Sequence, residues 1–153
     1  MSDMKEAELK VFTDAVTNYF SQVTRERAVV RAAYLADTTV PHFDYTGLIT
    51  LSGRFRGCVY FSAPRAMVLE LLRELKEPDV SEENLLDAVG EVANTIAGNA
   101  RRYFGDTLDI SVPVAIRGTS EQIRAAIRAR PFAILVHWCR HEIVVVVDLE
   151  GSV

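Results

Sequence analysis

Cysteine is nearly missing: Cys58 and Cys139 are the only two in 153 residues, and both sit in apolar, strand-like runs. That excludes a disulfide scaffold and leads us to expect two buried free thiols in a reducing compartment. Positive charge is also scarce. There are 17 Lys and Arg against 21 Asp and Glu, a net charge of −4, whereas a dedicated nucleic-acid binder would carry a basic surface. No apolar run approaches the roughly 20 residues of a membrane-spanning helix; Ile143–Val147 is strand-sized. The opening MSDMKEAELK is charged and lacks the apolar stretch of a signal peptide. The expectation is a cytoplasmic chain with no nucleic-acid partner and no membrane insertion. A Gly-x-x-x-x-Gly-Lys phosphate loop is absent too. Against these absences stands a hydrophobic content of 49 %, enough for a core without staples, in a chain the length of one domain, residues 1–153.

Hydrophobic spacing organises the rest. Leu9, Phe12, Val16, Tyr19, Phe20 and Val23 recur at three- and four-residue intervals and predict a helix over 4–24. Residues 28–36, 45–52 and 55–62 are rich in β-branched and aromatic side chains and predict strands. Ser52-Gly53 predicts a tight hairpin between the last two. Pro64 opens a helix over 65–76, since its missing N–H has no partner at a helix start. Asp79 or Ser81 caps a long helix to about Phe104, which Gly105 ends. Strands at 108–117, 132–139 and 142–149 follow. The order α-β-β-β-α / α-β-β-β reads as a weak internal repeat. Short turns force mostly antiparallel pairing, so the fold class is α+β: about six strands with long helices on one face.

The long helix has an unusual face. At about 100° per residue, Asp87, Glu91, Asn94, Gly98 and Arg101 fall within about 40° of one line. Leu85, Val89, Val92, Ile96, Ala100 and Tyr103 fall opposite and are expected in the core. Every amphipathic helix has a polar face, usually just solvated. This one lacks the Glu-to-Lys pairs of a passive surface. It also carries Asn94, Gly90 and Gly98, all poor helix formers; glycines on an exposed stripe leave room for a partner to approach. A carboxylate and an amide one turn apart make no nucleophile, and no Ser-His-Asp or Cys-His set accompanies them. They can hold a cation and orient a water brought together by another molecule.

Asp87-x3-Glu91-x2-Asn94, with Pro113 some twenty residues on, resembles the signature of the CheC/CheX/FliY phosphatases of bacterial chemotaxis. EVANTIAGNA and TGLITLSGRFRGCVYFS are similar to that family as well, and the likeness runs along essentially the whole chain. The resemblance implies a phosphatase acting on the aspartyl phosphate of a CheY-like receiver domain. Asn94 would orient the hydrolytic water and Glu91 would pair with the receiver's lysine. Mg2+ would belong to the receiver, with no cofactor or metal of this chain's own. Asp87, Gly98 and Arg101 would support the docked partner, and Pro113 would shape the neighbouring strand. Laying Asp14-Ala-Val on Asp87-Ala-Val puts Asn18 opposite Glu91 and Ser21 opposite Asn94. The first copy therefore lacks the Glu-Asn pair, which points to one site per chain, as in the CheX branch. A homodimer joined sheet edge to sheet edge is implied too. The apolar EIVVVVDL or its neighbour is the candidate strand, although a central position explains its composition equally well.

Two rival readings stand beside this one: a non-catalytic module docking a signalling partner through the same helix, and a structural dimer subunit of a larger complex. His137 and His141 flank Cys139 without the four converging ligands of a zinc site. His42 is expected at the surface and Trp138 in the core. Arg101 and Arg102 suit the helix dipole as well as an acidic partner. The segment 118–132 is expected to hold a helical turn with a solvated basic face.

Overall fold

The computed structural model describes residues 5–36, 41–118, 121–128 and 130–151; residue 4, the expected start of the first helix, lies outside these. The stripe beginning at Leu9 folds as α1 (Glu6–Val23), burying Phe12, Val16, Tyr19 and Phe20. Strands β1 (Val29–Leu35), β2 (Tyr45–Gly53) and β3 (Phe55–Ala63) lead to α2 (Arg65–Glu74) and α3 (Glu82–Phe104). The chain closes with β4 (Leu108–Ile110), β5 (Val114–Arg117), α4 (Glu121–Ala126), β6 (Phe132–Trp138) and β7 (His141–Gly151). The class is α+β, with seven strands rather than about six, all paired antiparallel.

The strand order is β1-β6-β7-β3-β2-β4, with β5 also on β2. This makes the internal repeat legible. β3 and β7 pair at the centre, the hairpins β2–β3 and β6–β7 lie on either side, and each outer strand pairs with the other half's hairpin. The halves are interlaced about a pseudo-twofold between β3 and β7. EIVVVVDL lies in β7 and is central: both its edges are paired, as are those of its neighbour β6. Neither can join a second sheet, so the free edges among the described residues are β1 and β4–β5.

The long helices cover one face. Ile49, Val59, Phe61, Val145 and Val147 meet Phe12, Phe20, Val89 and Ile96 there. Trp138, fully buried as expected, packs tilted against Phe20 at 5.3 Å between centroids and donates its indole N–H to Thr24 Oγ1 and the Glu26 carbonyl. On the opposite face Leu48, Cys58, Tyr60, Val144 and Val146 are covered by Ile123 of α4 and by Phe43. Cys58 is buried as expected, but Cys139 is only half-buried, because it forms the β6–β7 turn at φ 56°. His42 is exposed.

Two turns differ from expectation. The expected strand 108–117 is broken. Ile49 and Thr50 of β2 face three residues, Ser111–Pro113, so the ladder shifts by one. This is a β-bulge on an edge strand, a place where proline's missing N–H does no harm. Ser111 bridges the gap, donating its N–H to the Thr50 carbonyl and accepting the Thr50 N–H at its hydroxyl. The expected two-residue hairpin at Ser52-Gly53 is wider. β2 and β3 part after Leu51 and Gly57, because Ser52 and Gly53 turn to pair with β4 while Phe55 and Arg56 pair with β7.

The approach that seats α3 on the sheet is to β2. A Cβ on Gly47 would lie 2.2 Å from the Val89 carbonyl oxygen and 2.9 Å from the Gly90 nitrogen. Backbone cannot yield there as a flexible side chain would. Gly47→Ala is expected to cost about 2–3 kcal/mol, the upper part of the roughly 1–3 kcal/mol range for forced overpacking. Gly98→Ala, in the same helix but facing open space, should gain up to about 1 kcal/mol from helix propensity. Urea unfolding of the two variants beside the parent reads both signs.

Candidate functional site

α3 starts where Ser81 accepts the Asn84 N–H at 3.3 Å, so Ser81 is the cap; Asp79 braces it by accepting the Ser81 N–H at 2.9 Å. Glu82 turns inward to the Tyr45 hydroxyl and Arg117. The helix ends at Gly105, φ 73°, whose N–H returns to the Arg101 carbonyl. Leu85, Val89, Val92, Ile96 and Ala100 are buried, as the pattern predicted. Tyr103 is not: it is 59 % exposed. The last turn runs past the sheet, and Phe104 folds back instead, 5.1 Å from Phe55 and 6.1 Å from Phe12. Gly90 is also corrected. It is buried rather than on the open stripe, and a Cβ there would touch the Pro113 ring at 3.4 Å.

With its back so fixed, α3 presents Asp87 and Glu91 exposed and Asn94 half-buried. Among the described residues none of the three side chains has a hydrogen-bond or ion-pair partner. Two of the three equivalent positions on α1 are locally satisfied, and Asn18, opposite Glu91, is exposed with no partner among the described residues. Asp14 pairs with Lys10 at 2.7 Å, and Ser21 donates to the Thr17 carbonyl. The two helices thus share a framework, and the second leaves all three of its polar groups open. Gly98 continues the stripe, half-buried, with nothing within 4 Å of where its Cβ would be. Arg101 donates from Nε to the Leu108 carbonyl at 2.8 Å, which closes the turn from α3 into β4 and fixes the guanidinium. Arg101, Arg102, Gly98 and Asp106 border a hollow of about 500 Å³. Pro113 stands at the bulge beside Gly90.

On its other flank the stripe borders a groove of about 510 Å³ reached by Tyr19, Leu72, Asp87, Glu91 and Pro113. Tyr19 was read from sequence only as part of an apolar stripe. Its burial pushes the phenol up to about 12, with the Glu91 charge adding to the shift. The Cys139 thiol is likewise raised to about 11 by burial and by Glu70 beside it. Glu70 accepts a hydrogen bond from His141 at 2.8 Å. Among the described residues no group of three or more His, Cys, Asp or Glu side chains could hold a metal, and no helix is long and apolar enough to cross a membrane.

The fold and this helix define a class: an α+β protein of two interlaced repeats that displays an acidic and amide stripe from one repeat. Residues 45–137 match the family described as Chemotaxis phosphatase CheX. The chain belongs to that family. No curated protein matches it. Solved structures with the same fold include the chemotaxis protein CheX of Desulfovibrio desulfuricans, 21 % identical, covering 94 % of this chain and 99 % of that one at a TM-score of 0.79. The CheX of Vibrio vulnificus is 19 % identical, with coverage of 94 % and 99 % and a TM-score of 0.80. A chain of the CheX–CheY–BeF3–Mg2+ complex from Borrelia burgdorferi is 17 % identical, with coverage of 94 % and 98 % and a TM-score of 0.73.

The Tyr19 phenol sets an alkaline limit. The unfolded chain releases this proton near pH 10, whereas the folded chain holds it to about 12. The stabilisation is complete below pH 10 and is lost as pH rises toward 12, on the order of 2 kcal/mol. Tyr19→Phe should lose less stability over that window than the parent, as read by denaturant midpoints at pH 9, 10 and 11.

Proposed function

We propose that this chain, as one CheX-like domain over residues 1–153, hydrolyses the aspartyl phosphate of a CheY-like receiver domain. A cytoplasmic location goes with this reading. The observation that carries it is the open stripe of Asp87, Glu91 and Asn94 on a helix pinned by its back, in a member of a phosphatase family. The receiver brings the phosphoryl group and its Mg2+; the helix brings orientation. The Asn94 amide accepts from the attacking water with its oxygen and donates with its nitrogen, fixing the water in line with the scissile bond. Water oxygen bonds to phosphorus as the bond to the aspartyl oxygen breaks, yielding inorganic phosphate and free aspartate with no covalent intermediate on this chain. Glu91 pairs with the receiver's lysine ammonium and fixes the docking. Asp87 adds charge at the same rim. Gly98 leaves clearance for the partner's backbone, and Arg101, already tethered, faces the acidic side of the receiver's site. Pro113 holds the bulge against Gly90 and so keeps the helix seated.

The partner set includes a second copy of the chain. β1 offers an unpaired outer edge with Val29 53 % and Tyr34 42 % exposed, and β4–β5, the other free edge, is short and broken by its bulge. Light scattering at micromolar concentration should give twice the chain's mass; a monomer there rejects the dimer and leaves the phosphatase reading standing.

The test of the activity is phosphate release from a phosphorylated receiver domain. Wild type should accelerate it, and Asn94→Ala should lose about 100-fold or more of that acceleration, the scale of removing a group that positions a reactant or a developing charge. Binding should survive in Asn94→Ala and weaken in Glu91→Ala. Wild-type binding without any acceleration would instead establish a docking module on a phosphatase scaffold.

A further inference from the structure

Three tyrosines are fully or almost fully buried: Tyr19 at 6 %, Tyr45 at 1 % and Tyr60 at 0 % exposure. Two have satisfied hydroxyls. Tyr45 donates to Glu82, and Tyr60 to the Pro41 carbonyl. The Tyr19 hydroxyl has no hydrogen-bond partner among the described residues, yet a buried polar group left without one costs about 1–3 kcal/mol. Among the described residues no buried side-chain oxygen or nitrogen is both sealed from solvent and unpaired, so this hydroxyl opens outward, into the groove that Tyr19 lines.

The groove has a distinct chemistry. Leu71, Leu72, Leu75 and Ala88 give it apolar walls, and Leu75 is 41 % exposed. Glu77, Asp87 and Glu91 give it three carboxylates, and no Lys, Arg or His lines it among the described residues. A long aliphatic stem with a cationic tip matches both parts: the stem covers apolar surface while the head stays with charge. An apolar anchor would leave the carboxylates idle. A small cation would leave the leucines exposed, and the carboxylates do not converge as metal ligands.

We propose that Tyr19 is a positioning residue for the lysine already assigned to Glu91: that side chain lies along this groove, and the Tyr19 hydroxyl accepts a hydrogen bond from its ammonium. The inference rests on the phosphatase reading and adds a participant from the other repeat. α1 has no open stripe of its own, but it supplies one wall and one polar atom to the site on α3. The ring's other work is packing, edge-on to Phe20 at 5.1 Å, and a phenylalanine would retain it.

Steady-state phosphate release with the full chain and a phosphorylated receiver domain tests this. Tyr19→Phe should raise KM about 5- to 10-fold with kcat within twofold and an unchanged thermal midpoint. Glu77→Gln, on the groove's far rim, should raise KM less, and both effects should shrink as salt is added, because the contacts being lost are partly electrostatic. A Tyr19→Phe variant with wild-type KM overturns the inference, and so does one whose kcat and thermal midpoint fall together, which marks a structural role. If wild type binds the receiver without hydrolysing it, titration replaces kinetics: weaker binding by Tyr19→Phe supports the inference and equal binding overturns it. If wild type neither binds nor hydrolyses, the phosphatase reading falls and takes this inference with it; if wild type is active and Tyr19→Phe matches it, the inference falls alone.

Discussion

The site depends on how closely one helix lies on one strand. At Gly47 the space of a methyl group is taken by the Val89 carbonyl and the Gly90 nitrogen. No other residue type permits that contact, because the obstacle is backbone and has no rotamer to change. The contact fixes the rotation of α3 about its own axis as well as its height. Val89 and Ile96 are pressed into the sheet, and Asp87, Glu91 and Asn94 are turned away from it. The bulge in the edge strand completes the seating, because the extra residue at 111–113 brings Pro113 against Gly90. Gly53 does the same work at the far end, where a Cβ would come within 2.5 Å of the Thr107 carbonyl just after α3. Two backbone approaches and one proline ring hold a helix whose Asp87, Glu91 and Asn94 side chains have no hydrogen-bond or ion-pair partner among the described residues.

The interlaced repeat explains how such a face persists. Each half gives its outer strand to the other half's hairpin, so neither can form its sheet alone, and the central β3–β7 pairing joins them. The scaffold is therefore common to both helices. Laid on one another, Phe12 and Leu85, Val16 and Val89, and Tyr19 and Val92 take equivalent buried positions. The polar faces have diverged. α1 closes two of its three on itself, Lys10 on Asp14 and Ser21 on the turn before it, whereas α3 leaves Asp87, Glu91 and Asn94 all without partners among the described residues. An Asn near the middle of a helix and a Gly one turn later lower helix propensity, a cost borne only because the apolar back is so fully buried.

Much of this was legible in the sequence, and what was not has physical reasons. The helices could be read because Leu85, Val89, Val92 and Ile96 repeat at 3.6-residue spacing, and the stripe of Asp87, Glu91 and Asn94 followed from the same arithmetic. The bulge could not be read: Ser111-Val112-Pro113 continues an alternating pattern, and only the partner strand shows that three residues face two. Tyr103 misled because helical phase says which way a side chain points and not whether the sheet still lies beneath it. Gly90 has the same stripe-like spacing as Gly98, and it is Pro113, far along the chain, that buries one and leaves the other open. The central place of EIVVVVDL turned on strand order, which the sequence left open between edge and interior. Tyr19 went unnoticed as more than core because its neighbour Glu91 comes from the other repeat.

A helix without a nucleophile is well suited to the chemistry proposed for it. When a partner already carries the phosphoryl group and the metal, the missing ingredients are a water held in line and the fixed approach of two surfaces. An asparagine has two side-chain torsions, and when half-buried on a helix that cannot rotate it loses little further freedom on docking. The ordering is done in advance by the fold, so binding energy need not supply it at the moment of reaction. A loop-borne asparagine would face that entropy at each encounter. The same reasoning accounts for the tether on Arg101: its Nε bond to the Leu108 carbonyl removes torsional freedom from a guanidinium on the same face. Backbone contacts beneath the stripe and the Arg101 tether at its end hold this polar helix face in a single orientation, which is what the proposed docking would require.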